Sequence, residues 1–203
     1  MKKLVILLGL TGSFATGKSL ISSFFKKHNI ALIDADQIAK DITKKGSACY
    51  KAISETFGKK IFFDDGQINR KKLRRLVFND QAQRKKLEAI LHPAIRSEII
   101  TKIEIYKDKK EKLIVIDAPL LFENGLNKLM DKTIVVFVDE KTQLIRTKKR
   151  DKYNARELKK IIDSQMPISD KIKLADYLID NSGSIDNTYK KFMKVLEDIE
   201  KLL

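Results

Sequence analysis

The chain has 203 residues, 43% of them hydrophobic, with 42 Lys+Arg against 27 Asp+Glu and a formal net charge of +15. This length and apolar content fit one sizeable domain with inserted subdomains and exclude a disordered chain. A lone cysteine excludes an internal disulfide framework and argues against a Cys-based zinc cluster.

Taken in chain order, the longest apolar run is Leu4–Leu8, with Gly9 and Leu10 behind it. It is too short to span a bilayer, where roughly 20 residues are needed. No small-residue cleavage site follows, so it reads as the first strand of a soluble, cytoplasmic protein. Further continuous runs follow at Ile30–Ile33, Leu113–Ile116, Ile134–Val138 and Tyr177–Ile179. Continuous rather than alternating runs mark strands covered on both faces. The stretches between them are long enough for crossover helices, so an α/β fold with a parallel five-stranded sheet flanked by helices is expected.

Between the second and third runs lies more chain than one crossover needs. It carries helical patterns over Ser47–Phe57 (with Gly58 as C-cap), Asn69–Phe78 and Asp80–Leu91, and then a helix from Pro93 toward Tyr106. This predicts an inserted helical subdomain over 46–112, a core made of 1–45, 113–140 and 174–203, and a further segment over 141–173. Residues 69–112 hold 14 Lys+Arg against 6 Asp+Glu, and 141–173 hold 11 against 4. Such interleaved charge reads by default as solvated helix faces. The total excess suits nucleic acid, anionic lipid or a polyanionic small molecule, or reflects a Lys- and Ile-rich composition with no partner behind it. Ile185, Tyr189, Phe192, Leu196, Ile199 and Leu203 step by three or four and predict a C-terminal helix with one apolar stripe.

The chemistry begins directly after the first strand. Gly12-Ser13-Phe14-Ala15-Thr16-Gly17-Lys18-Ser19 fits G-x-x-x-x-G-K-[ST], the P-loop. Glycines let the loop curl its N–H groups onto phosphate oxygens, and the following helix adds its positive end. Lys18 reaches the β/γ-phosphates and the Ser19 hydroxyl ligates Mg²⁺. Gly12, Ala15, Thr16, Gly17, Lys18, Ser19 and Leu20 are therefore the expected ATP contacts. The guanine-specifying N-K-x-D pattern is not met, since Asn127-Lys128-Leu129-Met130 puts Met where Asp is needed. A short chain with a helical insertion and a basic segment near its C-terminal third suits a small-molecule kinase.

Such an enzyme needs a base and cations for the transferring phosphoryl group. Asp34 and Asp36 follow the second strand, where ligands bind in open parallel sheets, and either could take a proton from an acceptor hydroxyl. One of them is expected to N-cap the Gln37–Ile42 helix, with Asp36 the better placed. Asp117 ends the third strand at the Walker-B position, beside the metal. Arg146, Arg150 and Arg156 are candidate phosphate contacts. His28, at the end of the P-loop helix, and Cys49, partly buried, read as structural. Two other functions compete: a P-loop kinase with another small hydroxyl acceptor, and an RNA-binding NTPase, against which the chain lacks a recognition motif with interleaved aromatics.

The ordered set of Thr11–Ser19, Ile33-Asp34-Ala35-Asp36, Leu91-His92-Pro93, Asp117–Glu123, Thr142–Arg146 leading to Arg150-Asp151, Gln165-Met166-Pro167 and Ala175–Gly183 resembles the dephospho-CoA kinase family over nearly the whole chain. The resemblance implies transfer of the ATP γ-phosphoryl group to the ribose 3′-hydroxyl of dephospho-CoA. It makes Asp36 the base and assigns Lys18 and Arg150 to catalysis. Arg146 falls to ATP, and His92 and Asp117 join Asp36 on the acceptor side. The insertion becomes the CoA-binding domain and 141–173 the lid, with His92 held non-helical by Pro93 as its alternative role. A monomer that binds neither nucleic acid nor membrane is expected. The family's loop usually carries glycine at the positions of Ser13 and Ala15.

Overall fold

A computed structural model describes residues 4–148 and 165–203, the side chain of Asn79 excepted. Its elements are β1 (Ile6–Gly12), α1 (Lys18–Lys27), β2 (Ala31–Asp34), α2 (Ala35–Asp41), α3 (Ala48–Phe57), α4 (Arg70–Asn79) and α5 (Gln81–Asp108). Then come β3 (Leu113–Asp117), β4 (Lys132–Phe137), α6 (Glu140–Lys148), α7 (Ile168–Leu174), β5 (Tyr177–Asp180) and α8 (Ile185–Glu200). The strands form one five-stranded parallel sheet in the order β2-β3-β1-β4-β5. The chain divides into two compact units, residues 1–33 with 103–203, and residues 34–102.

In the larger unit every residue of β3 is buried, as are Ile134–Val136 at the centre of β4, which is why their runs are continuous. β1 begins two residues later than its apolar run and continues to Gly12. Its backbone partners decide this: Ile6 pairs with Leu113, and Gly12 pairs with Val136 on the other side. Leu4, without such a neighbour, is left exposed. One face of the sheet is sealed by α1 and α8. Phe25 and Phe192 meet edge-on at 4.8 Å, both fully buried, and each such side chain contributes about 1.5–3 kcal/mol on leaving water. In α8 the buried residues are Thr188, Phe192, Leu196 and Ile199, while Ile185 stays exposed next to the N-cap Ser184. His28 caps α1 and hydrogen-bonds through Nε2 with the Tyr189 hydroxyl at 3.0 Å.

The smaller unit has its own cluster. Ile53, Phe57, Ile61 and Leu73 are buried, with Leu87, Ile90 and Leu91 of α5 packed on them. Ser47 and Asn69 cap α3 and α4 through their side chains, each accepting an N–H three residues on. Gly58 closes α3 at φ 70. Cys49 is buried rather than partly exposed, and burial raises its thiol pKa.

Two expectations are corrected here. Asp80–Leu91 and the stretch from Pro93 form one helix, α5, with Pro93 inside it and His92 helical. Proline removes a single intrahelical bond, to the carbonyl of Ala89. Packing of the half-buried Leu87, Ile90 and Leu91 before it and burial of Ile99 after it hold both halves in place. Second, Asp34 rather than Asp36 caps α2. Its carboxylate accepts from Gln37 N at 2.9 Å with an extended backbone, and Asp36 lies inside the first turn. Because β2 runs on to Asp34, the helix starts at Ala35.

Candidate active site

β1 delivers the chain into the loop, and α1 leaves it. Gly12 is required there by space: a Cβ would sit 2.6 Å from the Val136 carbonyl oxygen and 2.7 Å from Thr16 Oγ1. Gly17 is required twice over. It caps α1 at φ 83 with no side-chain cap, and a Cβ would run into the Asn181 amide. Ala15 adopts φ 63 without being glycine. Thr16 folds back on the loop, its N–H and hydroxyl both donating to Ser13 O at 3.3 and 2.9 Å. No acidic residue stands in the first turn of α1 to compete for its N–H groups. Ser19 is exposed in that turn, while Leu20 packs on the core.

Lys18 pairs with Asp117, the last residue of β3. The other carboxylate oxygen accepts from the buried Ser22 hydroxyl at 2.5 Å. Asp117 is 6% exposed, so this pair is weakly screened. Next along the chain, the Pro119 carbonyl accepts from Thr11 Oγ1 at 3.1 Å and from Lys171 Nζ at 2.8 Å. Lys171, on α7, is fully buried and pairs with Glu123 at 2.9 Å. Burial pushes its ammonium pKa down, Glu123 opposes that, and nearby Lys18 adds to it. Glu123 Oε1 also takes the Met166 N–H at 2.8 Å, while the buried Oε2 has no hydrogen-bond partner among the described residues.

Asn181, directly after β5, was not singled out for any role by its sequence context. Its amide donates to Thr16 O at 2.8 Å and its carbonyl oxygen accepts from Thr188 Oγ1 at 2.9 Å. Arg146 of α6 donates to the Asn181 backbone carbonyl at 2.9 Å, which brings it to the edge of the P-loop at Gly17. Gln143 and Gln165 also reach the loop, at Phe14. Asp36, exposed in α2, and His92, half-buried in α5, both belong to the smaller unit. Arg150 and Arg156 lie outside the described residues.

A phosphate loop running from a buried strand into a helix with no side-chain cap, its lysine anchored to the acid of the neighbouring strand, marks a P-loop nucleotide-binding protein. A model of the dephospho-CoA kinase family matches residues 6–187. The dephospho-CoA kinase of Oceanobacillus iheyensis is 42% identical over 96% of this chain and 98% of its own. Among solved structures, dephospho-CoA kinase from Campylobacter jejuni has TM-score 0.71 at 31% identity, covering 96% of this chain and 97% of that one. A Thermus thermophilus protein reaches TM-score 0.83 at 26% identity, with 97% and 98% covered. The chain belongs to the dephospho-CoA kinase family. Among the described residues no helix is long and apolar enough to cross a membrane.

Proposed function

We propose that the protein transfers the γ-phosphoryl group of ATP to the 3′-hydroxyl of the dephospho-CoA ribose, giving coenzyme A and ADP. The observation that carries this is a family match over residues 6–187 that includes an intact phosphate loop with Lys18 anchored on Asp117.

Each residue then has a task. Gly12, Ala15, Thr16, Gly17 and Leu20 shape or support the loop, whose N–H groups bind the ATP phosphates. Lys18 neutralises charge on the β/γ-phosphates, and Arg146 takes part in holding the nucleotide. Asp36 accepts the proton of the attacking hydroxyl, and His92 and Asp117 assist on the acceptor side. Arg150 stabilises the phosphoryl group in flight. Asp34 has the separate task of capping α2. The Ser19 hydroxyl and the Asp117 carboxylate are the oxygen donors that would hold Mg²⁺. When bound, that ion would neutralise charge on the β- and γ-phosphate oxygens. The insertion over 46–112 holds the CoA moiety and 141–173 serves as the lid. Two polyanionic substrates account for a charge of +15 without nucleic acid, and the protein works as a cytoplasmic monomer.

The test is the site of phosphorylation. Phosphorus and proton NMR of the product from ATP·Mg²⁺ and dephospho-CoA should place one new phosphomonoester on the ribose 3′-oxygen. A phosphate elsewhere, or transfer to adenosine at equal rate, would contradict the assignment.

A further inference from the structure

Phe14, third residue of the eight-residue loop, is held at both of its backbone polar groups by side chains from distant parts of the chain. Gln143 Nε2 on α6 donates to its carbonyl oxygen at 2.8 Å, and its N–H donates to Gln165 Oε1 at 3.1 Å. The next residue, Ala15, sits at φ 63, where an L side chain crowds its own backbone and only glycine is at ease. Left alone, a loop with alanine there drifts toward φ < 0, and its N–H groups no longer converge on one anion.

The two amides are chemically suited to prevent this. To turn N–H groups toward an anion, a loop must turn carbonyls away from it, and those carbonyls need donors. Lysine or arginine would donate but would compete for the phosphate. A carboxylate would accept but repel it. A primary amide donates and accepts with no net charge. Asn181 does the same for the Thr16 carbonyl, so the chain places neutral amides on both sides of Ala15.

We propose that Gln143 and Gln165 are positioning residues: by fixing Phe14 they hold Ala15 in its left-handed conformation and keep the P-loop receptive to the nucleotide phosphates. Neither touches the reacting atoms. The proposal rests on the kinase reading for its ligand, and ADP binding separates the two.

Titration calorimetry with ADP·Mg²⁺ tests it on the full chain. Gln143→Ala and Gln165→Ala should each weaken binding about fivefold, the loss expected for one hydrogen bond, and the double variant about 25-fold. Circular dichroism should show an unchanged fold. Ala15→Gly in the double variant should recover most of the loss, because glycine holds φ > 0 unaided. Wild-type affinity in the double variant overturns the proposal, and so does a loss that Ala15→Gly fails to restore. If Gln143→Ala impairs folding, Gln165→Met with and without Ala15→Gly gives the same comparison. A wild-type chain that binds no ADP sinks the nucleotide reading instead.

Discussion

Lys18 in the first turn of α1 and Asp117 at the end of β3 are ion-paired beneath the phosphate loop, with Ser22 donating to the same carboxylate. Strand and helix thus set the lysine's reach from both ends. Lys18→Ala should lower kcat on the order of 10³, as for loss of one preorganised charge donor. It leaves Asp117 with Ser22, so the variant should remain folded by circular dichroism. Near wild-type turnover would overturn the P-loop assignment.

The neighbouring acids of the smaller unit should separate cleanly. Asp36→Asn should lower kcat by roughly 10²–10⁴ if Asp36 is the base, with the urea midpoint and the KM for ATP close to wild type. Asp34→Ala should lower stability by about 1 kcal/mol through loss of the α2 cap, seen in the same denaturation experiment. The opposite pattern would reassign the two roles.

Lys171 and Glu123 form a buried pair whose cost shows when one member is removed. Lys171→Met leaves the Glu123 carboxylate without its cation and should cost about 3–5 kcal/mol in urea unfolding. Adding Glu123→Gln should recover much of that loss. Equal stability of single and double variants would mean the pair is solvated and not structurally coupled.

Asp180 predicts an acid-sensitive contact. Burial tends to raise its pKa, but Lys191 Nζ at 2.7 Å and the Ser182 N–H at 2.9 Å bring it down to about 2. A carboxylate depressed below its unfolded value of about 3.9 stabilises the fold fully above that value. The contribution is lost as pH falls from about 4 toward 2. Thermal unfolding of wild type and Asp180→Asn should therefore differ at pH 6 and converge near pH 2. A constant difference across that range would remove Asp180 from this role.

How much was readable in the sequence follows from distance along the chain. The strands and the P-loop were legible because each depends on consecutive residues. The assignment of the α2 cap failed because it turned on one more residue of β2, set by sheet pairing rather than by local pattern. Pro93 misled for a similar reason: packing of Leu87, Ile90 and Ile99 outweighs one missing bond. The grip on the loop was not legible. Gln143, Gln165 and Asn181 meet it across 129, 151 and 165 residues, and nothing in their spacing announces those contacts. Lys171 likewise looked like one of many surface lysines in a basic stretch until the fold buried it.

The central claim is that dephospho-CoA is the phosphoryl acceptor. The most direct measurement is initial-rate ADP release from ATP·Mg²⁺ with dephospho-CoA, with adenosine and with buffer alone. ADP release that depends on dephospho-CoA, with a product heavier by one phosphate group, is the predicted result. ATP binding with no stimulation by dephospho-CoA would leave the P-loop standing and contradict the acceptor.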